Sequence, residues 1–469
     1  MVINYRPKTQ QTTERKVDKL PNETSTNCRT HLQSTNNFCY NSRMKAYRRR
    51  TLDDILRRKL QTIGAVLVQG PKWCGKTTTC EQIAASVLYM GDPDTRESNR
   101  QLADISIKSL LEGAKPRLID EWQEIPKLWD AVRFHVDHVD GMGQFILTGS
   151  AVPPDLNQIV HSGTGRIARL TMRPMSLWES GESSGTLSLQ SLFAGEDFTA
   201  CSAKQLELAD VARLVCRGGW PQAVLQSQGL ELDCARDYFD AVVETDVSRL
   251  DGVSRQPDRV RRLLRSYARL QGTQSSLATI RKDLASNEGG ALNEDTVASY
   301  LNVLRKIFVV EDMPAWSPNL RSKAQIRTTD TRYFVDPSVA AAALGAGPGD
   351  LVKDLRTLGL LFETMAVRDL RVYADALGGD VLHYHDSAGN ECDAVVHLRD
   401  GSYGLVEIKL GGDTLVAEGA DSLCRLASKL DTNKMKSPAF KMVLTAVGQF
   451  AYRRKDDDVV VCPLSTLKP

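Results

Sequence analysis

This chain of 469 residues predicts an α/β fold built around a parallel sheet, and three observations carry that prediction. An apolar run, Ala65-Val-Leu-Val68, leads into a glycine-rich loop and then into Cys80–Leu88, which has helical character. Residues 51–150 alternate short apolar runs with helical patterns, as a parallel sheet with helical crossovers requires. Beyond residue 345 the alternation resumes and reads as a separate, smaller α/β unit.

Residues 1–43 are rich in Asn, Thr and Gln without apolar periodicity, and are expected to form a disordered basic extension. A helical pattern begins near Tyr47-Arg-Arg-Arg-Thr-Leu-Asp-Asp-Ile-Leu56. The core is expected over 44–175, with strands at Ala65–Val68, Arg117–Ile119 and Gln144–Leu147. Residues 176–254 read as a helical lid, broken at Gly218-Gly-Trp-Pro221 and continuing as a helix over Arg236–Asp246. Over 255–345, Val260, Leu263, Leu264, Tyr267 and Leu270 make one apolar stripe at helical spacing. Helices at Ser276–Leu284 and Asn293–Lys306, then strands at Ile307–Asp312 and Arg332–Asp336, complete a winged-helix pattern. The last unit, 346–469, has a helix at Leu358–Leu370, strands at Val381–His385, Glu391–Leu398 and Tyr403–Lys409, a helix near Glu418–Lys429, and strands at Phe440–Thr445 and Val459–Cys462.

Composition narrows the classes. No run of 18 apolar residues is present, so no transmembrane helix is expected. The first residues lack the apolar centre of a secretory signal. Ten cysteines without C-x-x-C pairs or partnering histidines argue against a zinc site and a disulfide framework, and suit a cytoplasmic location. The net charge is +2, but residues 1–50 carry +8, leaving −6 for the rest. Bulk charge therefore makes no case for nucleic acid; only local patches can.

The loop itself is Gly70, Pro71, Lys72, Trp73, Cys74, Gly75, Lys76, Thr77, Thr78, a match to G-x-x-x-x-G-K-[ST] in strand–loop–helix context. Its glycines let backbone N–H groups turn inward on phosphate oxygens. Lys76 would reach the outer phosphates of ATP, and the Thr77 hydroxyl would hold Mg²⁺. About 45 residues on, Pro116-Arg-Leu-Ile-Asp120-Glu121 is an apolar strand ending in two acids. That strand is expected to lie beside the loop strand, so that Asp120 would complete the metal shell and Glu121 would polarise the attacking water. Phe145-Ile-Leu-Thr148-Gly-Ser150 ends a further strand in a hydroxyl, and Thr148 is placed to sense the γ-phosphate. Gly163-Thr-Gly-Arg166 offers an arginine for a neighbouring subunit's γ-phosphate, a role that would require a homo-oligomer.

From about Tyr47 to Thr445 the chain resembles bacterial and archaeal AAA-type ATPases fused to a C-terminal domain of unknown function. The resemblance rests on Tyr47 and Arg50, the P-loop, Leu118-Ile-Asp-Glu-Trp-Gln123, Leu147-Thr-Gly-Ser150, Gly165-Arg166, Gly218-Gly-Trp-Pro221, Asp246, Tyr333-Phe-Val-Asp336-Pro337 and Leu361-Phe-Glu363-Thr364. The tail before Met44 departs from the pattern. The resemblance implies an AAA-type P-loop NTPase sheet with a helical lid.

In the last unit, Glu407 and Lys409 share one face of a strand, Asp393 lies on its neighbour and Glu363 on the preceding helix. This order resembles the PD-(D/E)xK restriction-endonuclease-like core, which implies a metal held by Glu363, Asp393 and Glu407, with Lys409 orienting a water or stabilising charge. The bland alternative is an ion-pair cluster on a small sheet. DNA contact is expected at Asn293–Lys306, whose start is acidic and whose Arg305 and Lys306 lie at the far end. Three functions stay open: an ATPase coupled to DNA binding and metal-dependent cleavage, a nucleotide-gated switch whose C-terminal domain binds a partner, and an ATP-dependent protein-handling machine.

Overall fold

The computed structural model describes residues 47–151, 161–227, 229–249, 255–288, 292–318, 329–433 and 435–469. The basic extension expected at 1–43 lies outside them. Five parallel strands, β1 (Ala65–Gln69), β2 (Ser86–Tyr89), β3 (Arg117–Asp120), β4 (Phe145–Gly149) and β5 (Ile167–Thr171), form a sheet in the order β2-β3-β4-β1-β5. The central strands are apolar throughout because both faces are covered. Val66, Val68, Leu118 and Ile146 face a core continuous with the rest of the chain. Ala65, Leu67, Ile119 and Leu147 face the helices Arg96–Leu110 and Lys127–His138.

Two expectations are corrected here. Cys80–Leu88 is not one helix: the helix Lys76–Glu81 starts inside the motif, and Ser86–Tyr89 is an edge strand paired with β3. Its β-branched and aromatic residues satisfy that ladder. The second correction concerns strand order. β3 does not lie beside β1; β4 sits between them. Asp120 therefore reaches the loop across the tip of β4.

The middle region has Leu208–Arg217 and Asp233–Ala241 among its helices. It also contributes two short strands, β6 (Leu187–Ser188) and β7 (Cys201–Ser202). Pro257–Arg269, Leu277–Asn287 and Glu294–Lys306 follow, the last two capped by the side chains of Ser276 and Asn293. The two strands expected after them appear as isolated antiparallel bridges, Val310 to Phe334 and Met313 to Thr331.

The long helix Leu355–Leu377 precedes β8 (Gly379–His385), β9 (Glu391–Leu398) and β10 (Tyr403–Lys409), an antiparallel meander. The helix Asp413–Lys429 then crosses to β11 (Phe440–Thr445), parallel to β10. β12 (Phe450–Arg453), which the sequence pattern did not reveal, and β13 (Val460–Pro463) extend the sheet to the order β7-β12-β13-β11-β10-β9-β8. β7 thus joins the C-terminal sheet, and β14 (Leu467–Lys468) pairs with β6.

Candidate functional site

The P-loop leaves β1 through Gly70, at φ 152°, where a Cβ would lie 2.1 Å from the Met172 carbonyl oxygen. No side chain fits that approach. Gly75 takes φ 99° and opens the helix Lys76–Glu81. Lys76 is buried, and its ammonium donates to the carbonyls of Gly70 (3.0 Å) and Pro71 (2.8 Å). The loop is braced from behind by Arg50, which donates to the carbonyls of Cys74 (2.8 Å) and Arg173 (2.8 Å) and pairs with Glu179. Tyr47 donates to Asp53 (2.6 Å) and meets Thr79 at 3.1 Å.

Asp120 is the hub. Its Oδ1 accepts from Thr77 Oγ1 at 2.7 Å and from Thr148 Oγ1 at 2.6 Å. The Thr148 hydroxyl in turn accepts from the backbone N–H of Glu121 at 3.2 Å. Thr148 is fully buried at the tip of the intervening β4, where its hydroxyl links the two acids. Glu121 stands at φ 55°, a left-handed conformation that costs a non-glycine residue about 1 kcal/mol or more. Ser150 Oγ (3.0 Å) and Gln123 Nε2 both donate to its carboxylate. A hydroxyl and a carboxylate are the hard oxygen donors Mg²⁺ takes, and an inward-turned glycine loop with a lysine suits a polyphosphate. The residues present fit that pair of ligands.

Sequence reasoning brought together Lys76, Thr77, Asp120, Glu121 and Thr148, and the structure places them as neighbours. The sequence assigns no role to Gln123 or Ser150, although both lie in the Leu118–Gln123 and Leu147–Ser150 motifs. Arg166 falls elsewhere. It directly precedes Ile167, which pairs with Ala65 at the start of β1, whereas the loop follows the other end of that strand. Its guanidinium pairs with Asp137 at 2.6 Å. Its own chain's loop therefore lacks it.

In the C-terminal sheet the register places Glu407 one step beyond the Val406–Ala394 pair, opposite Asp393. Lys409 Nζ lies 2.6 Å from Glu407 and 3.3 Å from Asp393, and Asp393 also accepts from the Ile408 N–H at 2.8 Å. Glu363 instead accepts from the Tyr333 hydroxyl. Burial, reinforced by the Asp393 charge, pushes the carboxyls of both Glu363 and Glu407 upward. Glu407 Oε1 and, on the adjoining strand, Thr445 Oγ1 are buried with no hydrogen-bond partner among the described residues. Among those residues no group of three or more His, Cys, Asp or Glu side chains is placed to hold a metal ion. The expected trio Glu363, Asp393 and Glu407 is thus not assembled as a metal cage. The Lys409 ammonium supplies the positive charge between two of its members.

Of the two cations expected to meet DNA at the end of Asn293–Lys306, Arg305 is paired with Asp312 at 2.5 Å. On the helix Pro257–Arg269, Arg261 pairs with Asp240 and Glu244, and Arg269 with Asp283 and Glu288. Among the described residues no helix is long and apolar enough to cross a membrane.

Residues 208–350 and 358–467 match two domains of unknown function, DUF8612 and DUF4143. Uncharacterized proteins of Mycobacterium bovis and Mycobacterium tuberculosis are each 26% identical over 358 residues, spanning 76% of this chain and 72% of theirs. Among solved structures, the Walker-type ATPase PABY2304 of Pyrococcus abyssi aligns with a TM-score of 0.37 at 14% identity, over 62% of this chain and 94% of that one. Residues 63–180, which carry β1 to β5 and the loop, match the AAA domain family, and this match supports an ATP-binding, AAA-type P-loop ATPase domain.

Proposed function

We propose that the chain hydrolyses ATP at this loop and passes its nucleotide state to the C-terminal half. The observation that carries the reading is the convergence of Thr77 and Thr148 on one oxygen of Asp120, with Glu121 tied to the same hydroxyl. Loop amides and Lys76 neutralise the phosphates. Thr77 and Asp120 would hold Mg²⁺, which when bound would draw charge from the transferred phosphoryl group. Glu121, aimed by Ser150 and Gln123, accepts a proton from the water. Lys76→Ala is expected to abolish nucleotide binding and turnover. Glu121→Gln should retain binding while turnover falls about 10²- to 10⁴-fold, the worth of a positioned general base. Unchanged turnover in Glu121→Gln would remove that residue from the mechanism.

For the C-terminal half, the arginines matched by internal acids and the Lys409 ammonium set between Asp393 and Glu407 favour a gated domain that binds a partner. A second reading, metal-dependent DNA cleavage, is supported by the Asp393–Glu407–Lys409 juxtaposition and the unpartnered Glu407 oxygen. Plasmid nicking with Mg²⁺ or Mn²⁺, lost in Asp393→Ala and Lys409→Ala, would establish it. Absence of nicking and of DNA binding at low salt, where phosphate contacts are strongest, would sink it.

A further inference from the structure

We propose that Asp246 is a positioning residue of the nucleotide site, holding Lys72 off the phosphates until nucleotide displaces it. The proposal rests on the ATPase reading and adds a regulatory contact to it. Lys72 belongs to the P-loop, yet its ammonium lies 2.5 Å from Asp246 Oδ1. Asp246 closes a π-helical turn, Val242–Asp246, that continues the helix Asp233–Ala241 and leads into Val247–Arg249. Such turns insert one residue into a helix and recur where a side chain must be re-aimed. The same segment meets the loop a second time. Trp73 stands at φ 66° and is 53% exposed, with its ring centroid 6.2 Å from that of Tyr238. Tyr238 is itself backed by Trp220 at 4.3 Å. On the far side, Arg261 grips Asp240 (2.9 Å) and Glu244 (3.2 Å). One segment therefore touches two consecutive loop residues and the helix Pro257–Arg269.

Charge decides what this contact does. Lys76 is buried and donates to the loop carbonyls, whereas the Lys72 side chain is 43% exposed and its acidic partner only 12%. A triphosphate seated on the loop amides presents several negative charges against the single charge of Asp246. Attraction scales with charge, so the ammonium transfers to the phosphates and Asp246 loses its partner. Asp246 thereby competes with nucleotide, and nucleotide loosens the segment that Arg261 ties to the helix beyond. The coupling is reciprocal by linkage.

Calorimetric titration of the full chain with Mg²⁺ and a non-hydrolysable ATP analogue tests this. Asp246→Asn is expected to tighten binding ~2- to 5-fold, the range for a partly exposed ion pair, with the gain shrinking as salt rises. Lys72→Gln should weaken binding, and adding Asp246→Asn to it should change nothing further. An Asp246→Asn variant with wild-type melting and unchanged or weaker affinity overturns the assignment, as does an equal gain in the Lys72→Gln background. If the Asn variant does not fold, Asp246→Ser serves as the same arm. Wild-type protein that binds no nucleotide defeats this proposal and the ATPase reading together. Binding that is lost in Lys76→Ala but indifferent to Asp246 defeats this proposal alone.

Discussion

At the residue scale, Asp120 accepts two hydroxyl hydrogen bonds on one oxygen, from Thr77 and Thr148. Hydrogen bonds to a charged acceptor are worth about 1.5–3 kcal/mol each, so the carboxylate is fixed before any ligand arrives. Thr148 also fixes the backbone of Glu121, so removing its hydroxyl loosens both acids, which keep only Thr77 on Asp120 and Ser150 and Gln123 on the Glu121 carboxylate. Thr148→Val keeps the shape and loses the donor. It is expected to lower ATP turnover by about 10- to 100-fold, following those energies, in a steady-state phosphate-release assay. Affinity for nucleotide should change much less, because the loop amides and Lys76 are untouched.

At the element scale, Asp336 and Arg368 lock the Gly218–Pro221 turn onto the helix Leu355–Leu377, and Asp369 of that helix holds Leu177. Asp336 accepts from the Gly219 N–H (2.9 Å) and from Ser338 (3.0 and 2.6 Å). Arg368 spans Asp336 (2.8 Å) and Asp369 (2.7 Å), and Asp369 reaches the Leu177 N–H at 2.8 Å. Gly219 has no alternative, since a Cβ there would lie 2.2 Å from the Met175 carbonyl oxygen. Arg368→Met would strand two buried carboxylates and should destabilise the fold by about 3–5 kcal/mol in urea titration. The same helix carries Glu363, so the lock also sets where that carboxyl stands.

At the scale of the whole molecule, Arg173 joins the loop's surroundings to the C-terminal helix. Its carbonyl accepts from Arg50, which also holds the loop carbonyl of Cys74. Its guanidinium pairs with Glu311 and Asp375, both at 2.6 Å, and Arg371 adds a second cation near Glu311 at 3.5 Å. Burial alone would raise the Glu311 carboxyl, but the charges of Arg173 and Arg371 and the Arg173 hydrogen bonds outweigh it and hold it at about 2. The folded value lies below the ordinary 4.5, so this stabilisation is complete above pH 4.5 and is lost as pH falls toward 2. Glu311→Gln should lose less stability over that window than wild type, as measured by melting temperature between pH 5 and 2.

What the sequence determined alone was local: the loop, its strand, the apolar run ending in Asp120 and Glu121, and the helices that begin at Ser276 and Asn293. These follow from short-range sterics and hydrogen bonding, which a few adjacent residues settle. Tertiary structure decided the rest. It set β4 between β3 and β1, so that Asp120 meets the loop through the Thr77 hydroxyl across the tip of β4, where Thr148 steadies it. It placed Arg166 at the opposite end of the strands and slid the Lys409 ammonium between the carboxylates expected to hold a metal. It also brought Asp246 to a lysine 174 residues away in sequence. Strand order and ion pairing depend on which distant surfaces can be buried together, and no window of neighbouring residues contains that information.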